Sequence, residues 1–393
     1  MPRLAIALSL FGCLALAGCG SDDRGDACVP GAQSACACGA GAAGTQICAA
    51  DGRSFGACLC GGAITDGGGA TDGGAPVGGG CQSTLANDPQ NCGRCGHDCL
   101  GGACVGGACQ PSVISTKHPN RFVSDGKFLY FSLGTSLVYR MPVTGGVEED
   151  WGGNGADVTT DRILMDDQAI YVMLKPIASG TTQIMRLDKA TAALTILVTQ
   201  AIDGAIAQDA NNVYWTSPAE ALYKVSKSGG AATRVTPDHT LGTWGGVGLY
   251  PFATLLAQNG EVYGRGVPSY DIVAVRASDG NSQMLVPTRA DVADLNASTL
   301  VWSYGALWSV PLAGGSPLKI STSAPDLLQI DDQDVYWASQ DAAYSIMRTP
   351  IKGGPTAMLT APKTASLESV LWITLDDRAI YWSDWDGFYR LAK

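Results

Sequence analysis

Residues 327–338 read LLQIDDQDVYWA, and the pattern within them recurs along the chain. A short apolar run precedes the polar residue Asp331, and Tyr336 lies five residues after it. The same arrangement occurs seven times, at intervals of 35 to 49 residues. The seven pairs are Asp125 and Tyr130, Asp166 and Tyr171, Asp209 and Tyr214, Gln258 and Tyr263, Asn296 and Val301, Asp331 and Tyr336, and Asp376 and Tyr381. Repetition at this period indicates a repeat architecture in which each copy is one structural unit.

Each copy contains short apolar segments that predict four β-strands. The first strand precedes the polar residue, the second contains the tyrosine, and the third follows it, as at residues 346–348. A glycine pair often ends the third strand, because glycine adopts positive φ without a steric clash and permits a tight hairpin to the fourth. These pairs are Gly145-Gly146, Gly229-Gly230, Gly314-Gly315 and Gly353-Gly354. Seven four-stranded antiparallel units predict an all-β, seven-bladed β-propeller over residues 111–393.

The two ends of this predicted propeller complement each other. The seventh copy stops after its third strand, at residues 388–393. Residues 113–116, VIST, precede the first copy and are similar to KIST at residues 319–322, which lie in a fourth-strand position. We therefore predict that the N-terminal segment supplies the fourth strand of the last blade and closes the ring.

Cysteines are confined to the part of the chain before the propeller. Of the 14, Cys13 and Cys19 belong to the N-terminal segment, and none follows Cys109. The other twelve form two groups of six, Cys28, Cys36, Cys38, Cys48, Cys58 and Cys60, and then Cys81, Cys92, Cys95, Cys99, Cys104 and Cys109. We interpret them as two Cys-rich modules, residues 19–60 and 81–110, joined by a glycine-rich linker, residues 61–80.

The modules are expected to be held together by disulfides. A segment of about 30 residues buries too little surface to be stable without cross-links. Six cysteines allow 15 pairings, so the pairing within each module is open. An alternative for the second module is a zinc ion bound by Cys92, Cys95, His97 and Cys99, whose spacing suits a metal site. Oxidation of thiols outside the cytoplasm favours disulfides over zinc.

Residues 1–18 have the features of an export signal. Arg3 is the only charged residue, an apolar run extends over residues 4–16, and small residues follow. The run is too short for a membrane-spanning helix. Leu16-Ala17-Gly18-Cys19 resembles the lipobox of bacterial lipoproteins, which implies cleavage before Cys19 and a diacylglyceryl anchor with acyl chains such as palmitate. Because Gly20 follows, and not Asp, the resemblance favours the outer membrane over the inner one, with the protein facing the periplasm or the cell surface.

Two further resemblances concern the propeller and the second module. Tyr214-Trp215-Thr216, Tyr336-Trp337-Ala338 and Tyr381-Trp382-Ser383-Asp384 resemble the YWTD repeats of extracellular propellers. That family has six blades, and its aspartate is present here only at Asp384, so the resemblance implies the architecture alone. Residues 91–99 resemble short Cys-rich modules that precede propellers in exported bacterial lipoproteins. Together these resemblances imply a bacterial envelope lipoprotein with a Cys-rich N-terminal region and a YWTD-like β-propeller.

The charge of the chain excludes one class of partner. The formal net charge is −11, and the basic residues form no cluster. Nucleic-acid binding depends on Lys and Arg that neutralise phosphates, so it is not expected. Aspartate occupies five of the seven repeat turns, where a carboxylate can cap nearby backbone amides, and we predict a structural role for these residues. No metal or cofactor site is predicted.

Tryptophans supply the candidate ligand-binding residues. Trp215, Trp302, Trp337 and Trp382 occupy one equivalent repeat position, which indicates blade packing. Trp151, Trp244 and Trp385 fall outside that position, in Gly- or Asp-rich stretches that we interpret as loops, and are the candidates for a ligand surface. The propeller histidines, His118 and His239, accompany no nucleophile or metal motif, so no catalytic residue is predicted.

These observations favour a non-catalytic, membrane-anchored propeller that binds a protein or polysaccharide partner. The alternative is an envelope hydrolase or lyase with its active site at the central channel of the propeller. The two hypotheses differ in whether carboxylates and His118 or His239 converge at the mouth of that channel. A propeller fold alone does not decide between them.

Overall fold

The computed structural model describes residues 33–37, 43–47, 85–133, 138–152, 158–176, 181–202, 205–243, 255–339, 345–360 and 370–393. The predicted signal peptide, Cys19 and the glycine-rich linker lie outside these residues. The chain divides into two compact units, residues 1–80 and 81–393. In the first unit, β1 (Gln33–Ala37) and β2 (Ala43–Ile47) pair antiparallel. Among the described residues, no helix has the length and apolar character needed to span a bilayer.

The second unit begins with a small hairpin and continues into a ring of seven sheets. The hairpin contains β3 (Cys104–Val105) and β4 (Ala108–Cys109), and β5 (Ser112–Ser115) follows at once. Blade 1 contains β6 (Phe122–Ser124), β7 (Phe128–Phe131), β8 (Val138–Pro142) and β9 (Glu149–Gly152). Blade 2 contains β10 (Val158–Met165), β11 (Ala169–Pro176), β12 (Thr182–Asp188) and β13 (Leu194–Gln200). Blade 3 contains β14 (Ile206–Gln208), β15 (Asn212–Thr216), β16 (Leu222–Ser226) and β17 (Thr233–Arg234).

The remaining blades follow the same order, with one extra strand in blade 4. Blade 4 contains β18 (Leu241–Gly242), β19 (Leu256–Gln258), β20 (Glu261–Gly266), β21 (Ile272–Arg276) and β22 (Ser282–Val286). Blade 5 contains β23 (Val292–Leu295), β24 (Thr299–Ser303), β25 (Leu307–Pro311) and β26 (Leu318–Ser321). Blade 6 contains β27 (Leu328–Ile330), β28 (Asp334–Ala338), β29 (Ile346–Pro350) and β30 (Ala357–Met358). Blade 7 contains β31 (Trp372–Leu375), β32 (Ala379–Ser383) and β33 (Phe388–Ala392).

The ring closes as predicted from the two ends of the chain. Blade 7 is completed by β5, in the strand order β31, β32, β33, β5. The strands β33 and β5 are antiparallel, with Phe388 opposite Ser115 and Tyr389 opposite Val113. The predicted all-β, seven-bladed propeller with four-stranded antiparallel blades is therefore confirmed.

Hairpin geometry explains both the glycine pairs and the one irregular turn. Gly145 and Gly146 have φ values of 83° and 131°, and both glycines of each of the other three predicted pairs also have positive φ. In blade 4, Asn259 and Gly260 form a two-residue turn between β19 and β20, with φ values of 52° and 78°. Positive φ at both turn residues is the type I′ hairpin that Asn-Gly favours, so this turn needs no capping aspartate.

Apolar side chains fill the junctions between blades. At the junction of blades 2 and 3, Tyr171, Ile184 and Val198 pack against Val213 and Trp215. The four tryptophans of the equivalent repeat position are buried, with exposed fractions from 0% for Trp215 to 4% for Trp382. Three of them stack on an aromatic ring of the neighbouring third strand, as Trp382 does on Tyr389 with ring centroids 5.3 Å apart. Their predicted role in blade packing follows from these contacts.

Antiparallel strands give the ring two different faces. The turns between first and second strands, and between third and fourth strands, lie on one face, which we call the turn face. The connections between second and third strands, and between successive blades, lie on the opposite face, which we call the loop face. The first strands of all seven blades line the central channel.

Candidate functional site

The turn face is built on a repeated aspartate network. Asp166 illustrates it, because its Oδ1 atom accepts hydrogen bonds from the backbone amides of Gln168 and Ala169 at 2.9 and 2.8 Å. The hydroxyl of Tyr171 donates to its Oδ2 atom at 3.0 Å. The equivalent amide contacts are made by Asp125, Asp209, Asn296, Asp331 and Asp376. The aspartates therefore cap the turns, as the sequence predicted.

Three of these aspartates also bind a lysine from the next blade. Lys227 Nζ in blade 3 lies 2.7 Å from Asp166 Oδ2 in blade 2 and 5.1 Å from the centroid of the Tyr171 ring. The same arrangement joins Lys189 to Asp125 and Lys393 to Asp331. We call these three contacts the lysine latches, because each one connects two blades. At the junction of blades 3 and 4, the Gly260 amide donates to Asp209 Oδ2 at 3.1 Å and takes the place of the lysine.

The network shifts proton affinities in a way that indicates a structural role. Partial burial raises the pKa of Asp166, but the hydrogen bonds from Lys227, Gln168 and Ala169 outweigh it, so its pKa lies below the ordinary value of 3.8. Burial, with the neighbouring Asp166 charge, raises the pKa of Tyr171 to about 12. Both groups therefore hold one protonation state over the neutral range, and neither is suited to proton transfer there.

The second Cys-rich module also lies on the turn face. It is cross-linked by disulfides between Cys92 and Cys104 and between Cys99 and Cys109, and Cys95 is also disulfide-bonded. The sulfur atoms of Cys92, Cys99 and Cys109 lie within 4.8 Å of one another, but these atoms belong to the two disulfides. Oxidised sulfur is not a thiolate ligand, so the disulfide interpretation holds for these cysteines over the zinc alternative.

Polar contacts attach this module to blades 7 and 1. His97 Nε2 lies 2.7 Å from the carbonyl oxygen of Lys393, and His97 Nδ1 lies 2.7 Å from that of Cys92. Arg390 donates to the carbonyl oxygens of Leu100 in the module and Val143 in blade 1. The module thus covers part of the turn face beside the ring closure.

The loop face carries exposed aromatic side chains. Trp385, Tyr270 and Tyr304 are exposed to 57%, 54% and 43%, and each lies in a connection between second and third strands. The guanidinium of Arg265 lies 4.8 Å from the Tyr270 ring centroid, and that of Arg289 lies 5.1 Å from the Tyr304 ring centroid. Two of the three exposed rings are therefore held by a cation–π contact with an arginine.

The three candidate tryptophans have different surroundings. Trp385 is the exposed one, and its ring lies 5.7 Å from that of His118. The loop expected at Trp151 is wrong, because Trp151 lies in β9. Its side chain is only partly exposed, since it packs against the core between blades 1 and 2 and its ring centroid lies 3.2 Å from the Arg140 guanidinium carbon. Trp244 lies outside the described residues. Tyr270 and Tyr304 were missed by the tryptophan pattern, although both lie in short connections after a predicted second strand.

Neither propeller histidine lies with carboxylates in the channel of the described structure. His118 packs on Trp385 at the rim of blade 7. His239 is exposed and lies 3.4 Å from Glu220 in blade 3. The convergence that would favour the hydrolase or lyase hypothesis is therefore not seen for these two residues.

The central channel contains a cavity of about 230 Å³ with mainly apolar walls. Its described polar lining includes Arg162, Asp294, Gln329 and Thr374. Asp294 accepts hydrogen bonds from the amides of Ile330 and Leu295 at 3.0 and 2.9 Å. Enclosure in the channel raises its pKa to about 7, against the effect of these bonds. A titrating carboxyl in an apolar cavity is a feature of ligand-binding and catalytic sites.

A cluster of two arginines and a tryptophan lies at the loop-face end of this channel. The guanidinium carbons of Arg121 and Arg162 lie 4.6 and 5.9 Å from the centroid of the Trp372 ring. Both arginines are only 8% exposed. The Trp372 Nε1 atom donates to the carbonyl oxygen of Phe122 at 2.9 Å and fixes the ring between blades 7 and 1.

The repeat alignment contains a signal for this cluster. Arg121, Arg162 and Trp372 each lie four residues before the polar turn residue of their blade, where Val292 and Leu327 occur in blades 5 and 6. Arginine and tryptophan therefore replace the smaller or aliphatic residues that the other four blades carry at this position. Because the three residues are far apart along the chain, the sequence does not show that they meet.

The fold and this site define a seven-bladed β-propeller with a disulfide-bonded module on its turn face and a mainly apolar cavity in its central channel. A chain of the mitotic checkpoint complex is similar to it, with a TM-score of 0.51, 12% identity, and coverage of 72% of this chain and 93% of that one. YCF48 bound to a D1 peptide is similar with a TM-score of 0.51, 10% identity, and coverage of 72% and 96%. BamB from Moraxella catarrhalis is similar with a TM-score of 0.46, 12% identity, and coverage of 74% and 87%. At these identities the likeness concerns the fold, and neither a family model nor a curated protein matches the chain.

Proposed function

We propose that this chain is a membrane-anchored envelope lipoprotein whose propeller binds a protein or polysaccharide partner through the loop face. The observation that carries the proposal is the difference between the two faces. Capped turns, lysine latches and the Cys-rich module occupy the turn face. The loop face, in contrast, exposes the aromatic side chains of Trp385, Tyr270 and Tyr304. Exposed aromatic rings on a rigid scaffold supply large contact area at small entropic cost.

The nature of the partner rests on the chemistry of that face. Aromatic rings beside arginines suit protein partners, since Tyr, Trp and Arg are enriched at the centres of protein interfaces. The same rings can stack on sugars, so polysaccharides remain in the proposal. YCF48, a solved structure of similar fold, is bound to a peptide, which agrees with the use of a propeller as a peptide-binding surface.

Binding through the loop face can be tested by paired substitutions. The full chain would be immobilised and incubated with solubilised envelope proteins and with a panel of defined polysaccharides, and the bound partner identified by mass spectrometry or by its position in the panel. We expect Trp385→Ala and Tyr304→Ala each to weaken that partner's binding at least about tenfold, as loss of an aromatic anchor does. Val147→Ser, at an exposed apolar residue away from the loop face, is the control and should bind normally. Full binding by both aromatic variants would contradict the proposed surface.

The anchor is proposed on the lipobox at Cys19. Substitution Cys19→Ala should move the protein from the membrane fraction to the soluble fraction, because a lipid chain supplies the attachment. Ser21→Ala, two residues away, is the matched control and should stay with the membrane. Separation of inner and outer membranes on a density gradient would test the proposed outer-membrane placement. An unchanged membrane fraction in the Cys19 variant would overturn the anchor.

A further inference from the structure

Three side chains with oxygen acceptors line the central cavity at one level of the ring. Asp294, Gln329 and Thr374 belong to the first strands of blades 5, 6 and 7, and each lies two residues before the polar turn residue of its blade. Blades 1 to 4 carry an apolar residue at that position. These residues are Val123, Leu164, Ala207 and Leu256. Because blades 5, 6 and 7 are neighbours, the three polar residues form an arc on one side of the channel, which we call the oxygen arc.

The carboxylate of Asp294 gives this arc its charge. Its two oxygens accept hydrogen bonds from the amides of Leu295 and Ile330, one at each oxygen. A carboxylate has about four lone-pair sites, so it retains acceptor capacity beyond these two bonds. The residue is partly exposed, and it lines the cavity, so that capacity is directed to the channel. Burial and the two amides account for its raised pKa, and no described cationic side chain contributes to it.

The other charged side chain among the described residues that line the cavity is Arg162. It lies four residues before the turn residue of blade 2, whereas the oxygen arc lies two residues before the turn residues of its own blades. Two residues of a strand span about 7 Å, so the guanidinium belongs to a different level of the channel. It lies beside the Trp372 ring, with 5.9 Å between the guanidinium carbon and the ring centroid. The oxygen arc is therefore a negative site with no cation at its own level among the described lining residues.

The number and type of acceptors in the arc match a primary ammonium group, which has three N–H donors. The Gln329 Nε2 atom donates to the carbonyl oxygen of Leu328 at 3.2 Å, so its Oε1 atom is the acceptor for a ligand. The Thr374 hydroxyl accepts as well as donates. Most of the remaining lining is aliphatic or aromatic, as at Phe122 and Ile163, and suits an apolar body. The cavity of about 230 Å³ is smaller than the pockets of about 300–1,000 Å³ that hold drug-sized ligands, so the ligand is small.

We propose that the channel binds a small primary amine, whose ammonium group donates to Asp294, Gln329 and Thr374 and whose apolar body packs against the channel wall. The positive charge of the ligand favours the ionised form of Asp294, so binding releases a proton to solvent wherever that carboxyl is neutral beforehand. The site differs from the loop-face surface in both its residues and its ligand, and it goes beyond the function proposed above.

The test is calorimetric titration of the purified full chain with cyclohexylamine at pH 8, with cyclohexanol as the uncharged probe of similar shape. We expect the amine to bind at least about tenfold more tightly than the alcohol, because only the ammonium pairs with the carboxylate. Asp294→Asn should lower amine affinity at least about tenfold and leave cyclohexanol affinity within about twofold. Asp167→Asn, at an exposed aspartate on the turn face, is the matched control and should bind the amine as the unmodified chain does.

The dependence on pH separates pairing with Asp294 from burial of an apolar ring. Because the pKa of Asp294 is about 7, amine affinity should fall about a hundredfold from pH 8 to pH 5. This fall should be absent in Asp294→Asn, and cyclohexanol should bind equally at both pH values. The trimethylammonium analogue of the amine keeps the charge and lacks N–H donors, so it should bind at least about tenfold more weakly than the amine.

A second variant and three outcomes complete the test. Thr374→Val removes one acceptor with little change of shape and should lower amine affinity about fivefold, while circular dichroism confirms that each variant is folded. Equal binding of cyclohexylamine and cyclohexanol, or full amine binding by Asp294→Asn, overturns the site. Equal binding of the trimethylammonium analogue overturns the assignment to a primary amine. Trp385→Ala should bind the amine normally, so failure of the channel site and failure of the loop-face function are measured separately.

Discussion

Four turn-face aspartates and Asp294 are carboxylates in the same ring of strands, and their pKa values are shifted in opposite directions. Hydrogen bonds from turn amides and from tyrosine or lysine side chains outweigh partial burial and hold the pKa values of these four below 3.8; they are Asp125, Asp166, Asp209 and Asp331. Asp294 lies in the channel, where burial outweighs the hydrogen bonds from two backbone amides and raises its pKa to about 7. Residues that follow the repeat therefore stabilise the turns of the ring, whereas Asp294, which departs from it, lies in the channel cavity with a raised pKa.

The largest expected effect is that of removing a side chain that follows the repeat. Trp337 is fully buried at the junction of blades 5 and 6. Trp337→Ala should lower the free energy of unfolding by about 3–5 kcal/mol, because it removes a large apolar group and leaves a cavity. Trp385→Ala, at an exposed indole on the loop face, should change it by less than about 0.5 kcal/mol. Urea unfolding curves measure both, and similar losses in the two variants would contradict the distinction.

The next effect has the opposite sign and concerns Asp294. Its pKa is raised from 3.8 to about 7 in the folded state, so its contribution favours folding below pH 4 and is lost as the pH rises to about 7. The variant Asp294→Asn cannot ionise, so its stability does not fall between pH 4 and pH 7. Its side-chain amide has one oxygen, so it accepts only one of the two backbone amide hydrogen bonds. The variant should be more stable than the unmodified chain by up to about 3 kcal/mol at pH 8, and slightly less stable at pH 4. Unfolding curves between pH 4 and 8 test this, and a constant difference across that range would show that Asp294 does not titrate in the folded state.

A smaller loss is expected at a turn-face aspartate. Asp166→Ala removes the cap of two amides and the partner of Tyr171 and Lys227, so we expect a loss of about 2 kcal/mol at pH 7. Because the folded pKa of Asp166 is lowered, its contribution is present above pH 4 and is lost as the pH falls through the folded value. The neighbouring exposed Asp167 provides the control, since Asp167→Ala should leave stability within about 0.5 kcal/mol. A difference between the two variants that persists at pH 2 would argue against an ionised cap.

The blade architecture could be predicted from the sequence because its signals are local and repeated. The spacing of Asp331 and Tyr336 recurs in every blade, and one physical rule, a capped turn before a buried strand, explains six of the seven copies. Blade 4 has the Asn259-Gly260 turn instead. The closure by β5 was predictable for the same reason, since residues 113–116 match a fourth strand and the seventh copy lacks one.

The channel cluster could not be predicted in this way, because it depends on how the ring brings distant residues together. Arg162 and Trp372 are 210 positions apart and belong to blades that are not neighbours. The docking of the Cys-rich module was equally hidden, since His97 and Lys393 are separated by 296 positions and their contact forms only when the seventh blade is closed. The spacing of residues in the sequence predicts contacts within one blade. Contacts between distant blades, or between the module and a blade, form only when the ring closes.

The smallest expected change in the free energy of unfolding is that of removing a lysine latch. It measures how much an ion pair between two blades contributes to stability. Lys227 and Asp166 have side-chain exposures of 12% and 29%, so the pair is partly shielded from water and from salt. Lys227→Met retains the aliphatic stem over Tyr171 and removes the charge, and we expect a loss of about 1 kcal/mol. Arg276→Met, which breaks exposed ion pairs with Asp279 and Glu261, should lower the free energy of unfolding by less than about 0.5 kcal/mol, and this loss should disappear in high salt. If thermal unfolding shows equal losses for both variants, or if the Lys227 loss disappears in high salt, the latches are ordinary surface ion pairs and the tyrosine–aspartate caps alone account for the order of the turn face.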